Sequence, residues 1–257
     1  MATTSGFVRY ETARDTATIT LDRPPLNVLT IEMIADLEAA LNAASQEPHL
    51  KALVLRAEGK AFCAGVDVAD HVPERVDAMI RGFGRLFTRL RAFPAPTIAL
   101  VHGAALGGGT ELALGCDLTL AGMSARFGQP EIKLGVFPPI AAALFPQLIG
   151  YQQAARLVLT GEAISAEEAA RLGLITIAVP DAELSSRLDL LLDQFRDLSA
   201  VALRLAKRAL LTGADLGVAR ALDPIEDLYL TELMSTKDAG EGIQSFMEKR
   251  APVWRNE

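Results

Sequence analysis

Thr97-Ile98-Ala99-Leu100-Val101-His102-Gly103-Ala104-Ala105-Leu106-Gly107-Gly108-Gly109-Thr110-Glu111 reads as a strand, a tight turn and the start of a helix. The apolar run Thr97 to Val101 suits a buried strand. A helix start leaves its first N–H groups unpaired, and glycine lets an acceptor approach them closely. Glu111 closes the stretch with a carboxylate. No Gly-Lys-Ser/Thr follows the glycines, so this is not a Walker loop. Nor is it the G-x-G-x-x-G dinucleotide fingerprint in its early-domain setting.

Outward from this stretch the chain alternates strand and helix signals. Thr16 to Leu21 has the β-branched period of a strand and stops at Asp22-Arg23-Pro24-Pro25. Ile31, Ile34, Leu37 and Leu41 recur at helical spacing, with Thr30 as a cap. Leu50 to Leu55 reads as a buried strand, and Ile80, Phe83, Phe87 and Leu90 predict one face of a helix. Leu118 to Leu120 is a short strand. This alternation predicts a layered α/β core. Further on, Ser165-x-x-Glu168 is a capping box closed by Gly173. Arg187 to Arg196, Ala200 to Leu211, Asp223 to Met234 and the Ile243–Phe246–Met247 group read as helices. The expected organisation is a core over 1–190 and a helical region over 191–257.

The 257 residues suffice for one large domain, or a core with a helical appendage. A net charge of -7 argues against a general nucleic-acid or anionic-membrane binder. Cys63 and Cys116 are the only cysteines, too few for a disulfide framework and not spaced as metal ligands. His49, His71 and His102 are scattered without an H-E-x-x-H pattern. Neither a signal-peptide pattern nor a membrane-spanning run is read; the most apolar stretch, Pro96 to Leu120, is interrupted by His102, Glu111, Asp117 and glycines. The expectation is a soluble cytoplasmic protein with no metal and no redox cofactor.

A second glutamate stands in Phe127-Gly128-Gln129-Pro130-Glu131, and a third small-residue segment, Ala61-Phe62-Cys63-Ala64-Gly65-Val66-Asp67, lies upstream. Two carboxylates can divide proton transfer, while exposed N–H groups stabilise charge on a carbonyl oxygen. These segments come in order with Leu157-Val158-Leu159-Thr160-Gly161-Glu162, Ala169-Ala170-Arg171-Leu172-Gly173-Leu174-Ile175 and Glu241-Gly242-Ile243-Gln244-Ser245-Phe246-Met247-Glu248-Lys249-Arg250. Over nearly its whole length the chain resembles the crotonase (enoyl-CoA hydratase/isomerase) superfamily.

That resemblance implies the ClpP/crotonase fold, a ββα-superhelix core with a C-terminal helical region that makes trimers, or hexamers as dimers of trimers. It implies an acyl-CoA thioester substrate, the CoA entering with the substrate and not as a cofactor. The N–H groups matching the family's oxyanion donors are those of Ala64 and Gly108. Glu111 matches the residue that orients and deprotonates water, and Glu131 the one that protonates carbon. The CoA adenine is expected along Ala61–Asp67, Cys63 included. Lys249 is expected near the CoA phosphates, through a neighbouring subunit, and Phe246 near the acyl tunnel. Many hydratases carry a basic residue where Pro25 follows Arg23-Pro24, which leaves that phosphate contact open here.

After Glu131, straight-chain hydratases continue with a Pro-Gly-x-Gly-Gly-Thr type of turn. This chain has Leu134-Gly135-Val136-Phe137-Pro138-Pro139-Ile140-Ala141-Ala142-Ala143, which is expected to stiffen and narrow that wall, with Phe137 against the substrate. This segment, His71-Val72-Pro73-Glu74 and Leu228 to Met234 resemble cyclohexa-1,5-diene-1-carbonyl-CoA hydratases of aromatic-compound degradation. The expected activity is therefore hydration of a conjugated enoyl- or dienoyl-CoA, with cyclohexa-1,5-diene-1-carbonyl-CoA the favoured substrate. The alternatives are a general 2-enoyl-CoA hydratase, a double-bond isomerase, and a non-catalytic interaction or RNA-binding homologue.

Overall fold

The computed structural model describes residues 2–257, with side chains from residue 6 onward. Strands β1 (Ala2–Ser5), β2 (Val8–Ala13) and β3 (Thr16–Leu21) make an antiparallel meander. The sequence reading found β3 and missed the first two strands, of which β2 alternates buried and exposed side chains.

From β3 the chain repeats one unit: a strand in the main sheet, an extended piece in a second layer, then a helix. The first helix is α1 (Ile31–Ser45), capped by the Thr30 hydroxyl, which accepts from Met33 N–H at 3.2 Å. Next come β4 (Ala52–Ala57), two residues later than its apolar run suggests, and α2 (Val76–Arg91). Then follow β5 (Thr97–Val101), β6 (Ala104–Leu106) and α3 (Gly108–Leu114). The next turn holds β7 (Leu118–Gly122), β8 (Arg126–Gly128) and α4 (Pro139–Thr160). It leads to β9 (Ala163–Ser165), α5 (Ala166–Leu172), β10 (Ile177–Val179) and α6 (Leu184–Arg196).

The main sheet has the order β1-β2-β3-β4-β5-β7-β10, parallel from β3 onward. The second sheet is β6-β8-β9, extended by bridges of Cys63 to Ala105 and Leu29 to Val66. Strands buried on both faces explain the nearly continuous apolar runs of β4 and β5, and the buried threonines of β3. The largest core cluster joins α1, α2 and α4 to the main sheet through Met33, Leu37, Phe83, Leu86 and Phe145. A smaller cluster, with Val54, Ile98, Leu120, Leu184 and Leu192, seats α6 on the sheet.

Three readings need adjustment. On α2 the buried stripe is Met79, Phe83, Leu86 and Leu90, while Ile80 faces a cavity. The 134–143 segment is not all wall: residues 134–139 line the cavity and 140–143 run on into α4, which Pro139 opens where its missing N–H costs nothing and Gly150 at φ 74 breaks in two. The expected division at 190/191 falls inside α6, whose Leu184 and Leu192 pack on one sheet face. Beyond it lie α7 (Ala200–Leu216), α8 (Val218–Asp227), a wide turn over Leu228–Glu232, and α9 (Lys237–Met247). No helix among the described residues is long and apolar enough to cross a membrane.

Candidate active site

The three small-residue segments meet at one place. Gly109 packs so tightly on the Cys63 carbonyl that no larger residue fits, with Cys63 C only 2.8 Å from where a methyl group would stand. This contact brings the start of α3 against the 61–67 segment. At Gly108, a methyl group would lie 2.7 Å from Val66 Cγ2 and 3.4 Å from Val66 N. The Gly108 and Val66 amides are therefore neighbours, and neither donates to any acceptor within the described chain.

Ala64 behaves differently, which corrects one expectation. Its N–H donates to Leu26 O at 3.0 Å, so it is not available to a carbonyl. The reason is local: Gly65 adopts φ +111, and the chain turns between the two amides. Asp67 N–H and Gly65 O both pair with Leu29, at 2.8 and 2.9 Å, which leaves the Val66 N–H unspent.

Glu111, on the first turn of α3, is 3 % exposed. Its Oε1 accepts the Ala141 N–H of α4 at 2.7 Å. Burial pushes its carboxyl up to about 7, with the Glu131 charge adding in the same direction and the Ala141 N–H opposing. Glu131 sits half-buried in the turn Pro130–Leu134, its carboxylate lying over Gly107. Burial raises Glu131 too, while its own backbone N–H and the nearby His71 hold it down. The fully buried Gln129 amide, nitrogen toward Glu131, lies 3.1 Å from Oε2 and 3.2 Å from Oε1. Two carboxylates whose proton affinity is raised by burial thus share one site and titrate as a pair.

Both open into a cavity of about 600 Å³. Val76, Met79, Ile80 and Phe83 of α2 form one wall, and Leu134, Val136, Phe137 and the prolines 138 and 139 form another. Ala64, Val66, Gly108 and His71 also line it. Of the other expected site residues, Ala61 and Cys63 are fully buried and their side chains do not reach the cavity. Asp67 caps Ala69 N–H at 3.0 Å and lies 3.8 Å from Arg23. Phe246, 85 % exposed, and Lys249 stand at the end of α9, away from this chain's cavity. Burial pushes the Cys63 and Cys116 thiols up to about 12, out of the range for nucleophiles. Among the described residues no cluster of three or more His, Cys, Asp or Glu side chains could hold a metal ion.

Sequence reasoning passed over Val66, Gln129 and Ala141. The first two lie inside motifs already singled out, but which atom faces the cavity is a property of the turn. Ala141 had no signal, since its contribution is the unpaired N–H of a helix start.

The raised Glu111 has a measurable consequence. The folded protein holds its proton more tightly than the unfolded chain, so stability falls as pH rises from the ordinary 4.5 to about 7. The full loss above that range is on the order of 3 kcal/mol. Urea denaturation across this interval is expected to show the decline in the wild type and a flatter profile in Glu111→Gln. Equal slopes in both would remove Glu111 as its source.

Kinship agrees with this geometry. Residues 11–257 match the pattern of the enoyl-CoA hydratase/isomerase family. The chain is 38% identical over 236 residues to cyclohexa-1,5-dienecarbonyl-CoA hydratase of Thauera aromatica, covering 92% of this chain and 91% of that protein. The crystal structure of an enoyl-CoA hydratase from Bacillus anthracis superposes with a TM-score of 0.91 at 31% identity, covering 98% of this chain and 100% of that one. A crystal structure of an enoyl-CoA hydratase from Geobacillus kaustophilus gives 0.94 at 26% identity, covering 100% of this chain and 99% of that one. The protein belongs to the enoyl-CoA hydratase/isomerase family. Its fold is crotonase-like, with a mixed-sheet core and a C-terminal helical bundle, and it is an enzyme of the hydro-lyase type.

Proposed function

We propose that the protein adds water to a cyclic conjugated dienoyl-CoA of the cyclohexa-1,5-diene-1-carbonyl type. The observation that carries this reading is one apolar cavity holding two carboxylates beside two unspent N–H groups. The thioester oxygen accepts from Val66 and Gly108, which strengthens as negative charge develops there. Glu111 takes a proton from water while the oxygen bonds to the ring carbon β to the thioester. The electron pair passes through the diene to the thioester oxygen. Glu131 then delivers a proton to the far carbon of the diene, giving the 6-hydroxycyclohex-1-ene-1-carbonyl thioester. One water is gained, and no redox change occurs. Hydration starts with the shared proton on Glu131 and dehydration with it on Glu111, and burial raises the carboxyl of both.

A ring substrate is favoured by the stiff wall of Phe137, Pro138 and Pro139 and by the 38% identity to the Thauera aromatica hydratase. Separate assays with the cyclic dienoyl-CoA and with crotonyl-CoA test the choice. The expected result is a gain of one water by mass and a larger kcat/KM for the ring. A larger kcat/KM for crotonyl-CoA would replace this reading with a general 2-enoyl-CoA hydratase. This chemistry asks for no cofactor beyond the CoA of the substrate, and its setting is the cytoplasm, in the breakdown of aromatic compounds.

The same reading places Phe246 and Lys249 at a neighbouring subunit's site, since they stand apart from their own cavity. Exposed Leu210, Val218, Leu230, Phe246 and Met247 in the C-terminal helices supply apolar surface for a trimer, or a hexamer of two trimers. Sedimentation is expected to give a multiple of three, and a stable monomer at working concentration would refute it.

A further inference from the structure

Helix α9 and the residues that follow it form a hairpin. At its bend Lys249 N–H donates to Phe246 O at 3.2 Å, and Arg250 N–H to Ser245 O at 3.0 Å. In a helix ending of this kind the turning residue is ordinarily glycine. Here it is Lys249, at φ 56 in the left-handed region. Such strain persists only where the surroundings fix it, and it gathers at functional positions. The Lys249 ammonium has no hydrogen bond or ion pair among the described residues, and Phe246 and Met247 beside it are exposed.

Two carboxylates one turn apart on α9 zip the returning arm to the helix. Glu241 takes both guanidinium prongs of Arg250, at 2.5 and 3.0 Å, and the Val253 N–H at 2.8 Å. The buried Asp238 accepts Arg255 N–H at 2.7 Å and Asn256 N–H at 2.9 Å. The arm is also fastened to the rest of the helical region. Asn256 Oδ1 accepts the Ala200 N–H that starts α7, and Trp254 Nε1 donates to Asp197 O. A cavity of about 600 Å³ lies between the arms, lined by Lys237, Glu241, Gln244, Arg250 and Arg255. Polar ties, with Trp254 against Gly242, therefore join them.

We propose that Glu241 is a positioning residue for substrate binding: through Arg250 it fixes the bend that aims Lys249 at the phosphates of an acyl-CoA held by a neighbouring subunit. The inference rests on the neighbouring-subunit reading given above. A lysine on a loose chain loses much of a phosphate contact to the ordering that the contact demands. Arg250 is next in sequence to Lys249, so clamping it orders the backbone at the bend before the substrate arrives. Affinity for the nucleotide end of the substrate then depends on a side chain that never touches it.

The experiment uses the full-length assembly and one acyl group, presented as its CoA thioester and as its pantetheine thioester, which carries no phosphate. The readout is the ratio of the two kcat/KM values. Lys249→Met is expected to lower that ratio about 10-fold, through KM and not kcat, and Glu241→Gln several-fold in the same way. The double variant should lose no more than Lys249→Met alone, since Glu241 acts through the same lysine. A merely structural Glu241 would weaken both thioesters together and leave the ratio where it was. That result, with Lys249→Met effective, overturns the proposal while the neighbouring-subunit reading stands. An unchanged ratio in Lys249→Met overturns both. Where Glu241→Gln fails to assemble, Arg250→Lys keeps the charge, loses the two-pronged contact and supplies the comparison.

Discussion

Glu111→Gln and Glu131→Gln should each lose ~10²–10⁴-fold in turnover with a dienoyl- or enoyl-CoA, while substrate binding changes far less. Gln nearly preserves volume, and its Oε1 still accepts the Ala141 N–H that holds Glu111 in place. What disappears is the capacity to take up or deliver a proton. The double variant should fall well short of the product of the two losses, because both groups serve the same water and the same proton. The pair also separates hydration from double-bond migration, which needs Glu131 but not an activated water. Near-normal hydration by folded Glu111→Gln would take the water-activating role away from it. Full activity in both variants would end the two-carboxylate mechanism.

Gly107→Ala should be nearly as damaging, by a different route. Gly107 sits at φ 53 and ψ −126, immediately before α3, and its N–H donates to Gly128 O at 2.8 Å. A methyl group there would overlap Glu131 Oε1 and stand 3.2 Å from its Cδ. The carboxylate has to move, and a displacement of about 1 Å in a reacting group costs on the order of 10²-fold in rate. Backbone strain adds about 1–3 kcal/mol of instability. Gly217→Ala is the matched control, since Gly217 has φ 70 but open space around it. Both variants should lose stability, and Gly107→Ala alone should lose turnover. Wild-type kcat in folded Gly107→Ala would show that Glu131 does not act from the position it holds over this glycine.

Local rules read much of the framework correctly. Thr30 and Ser165 cap the helices they were expected to cap, and Gly173 closes α5 in a left-handed conformation. These features depend on neighbours within a few residues, so one stretch of sequence contains all their physics. The three-residue strands β6, β8, β9 and β10 were not legible. A strand that short has no period, and its stability comes from partners such as Phe127 opposite Ala105 and Ile164. The meander β1–β2 was missed for a related reason, since its pairing with β3 is a tertiary contact.

The sequence by itself determined the ingredients of the site: the glycines that admit a carbonyl, the two glutamates, and the order of segments that marks the family. Tertiary structure decided which atoms do the facing. Gly65 turns the chain so that Ala64 spends its N–H on Leu26 and Val66 keeps its own beside Gly108. The start of α4 reaches Glu111 across 30 residues, and the 67–71 loop carries His71 to the same cavity. Spacing along a chain fixes which groups can meet within one turn of helix or strand. The direction of an N–H and the burial of a carboxylate are set by what packs around them, and here that packing comes from four separate segments.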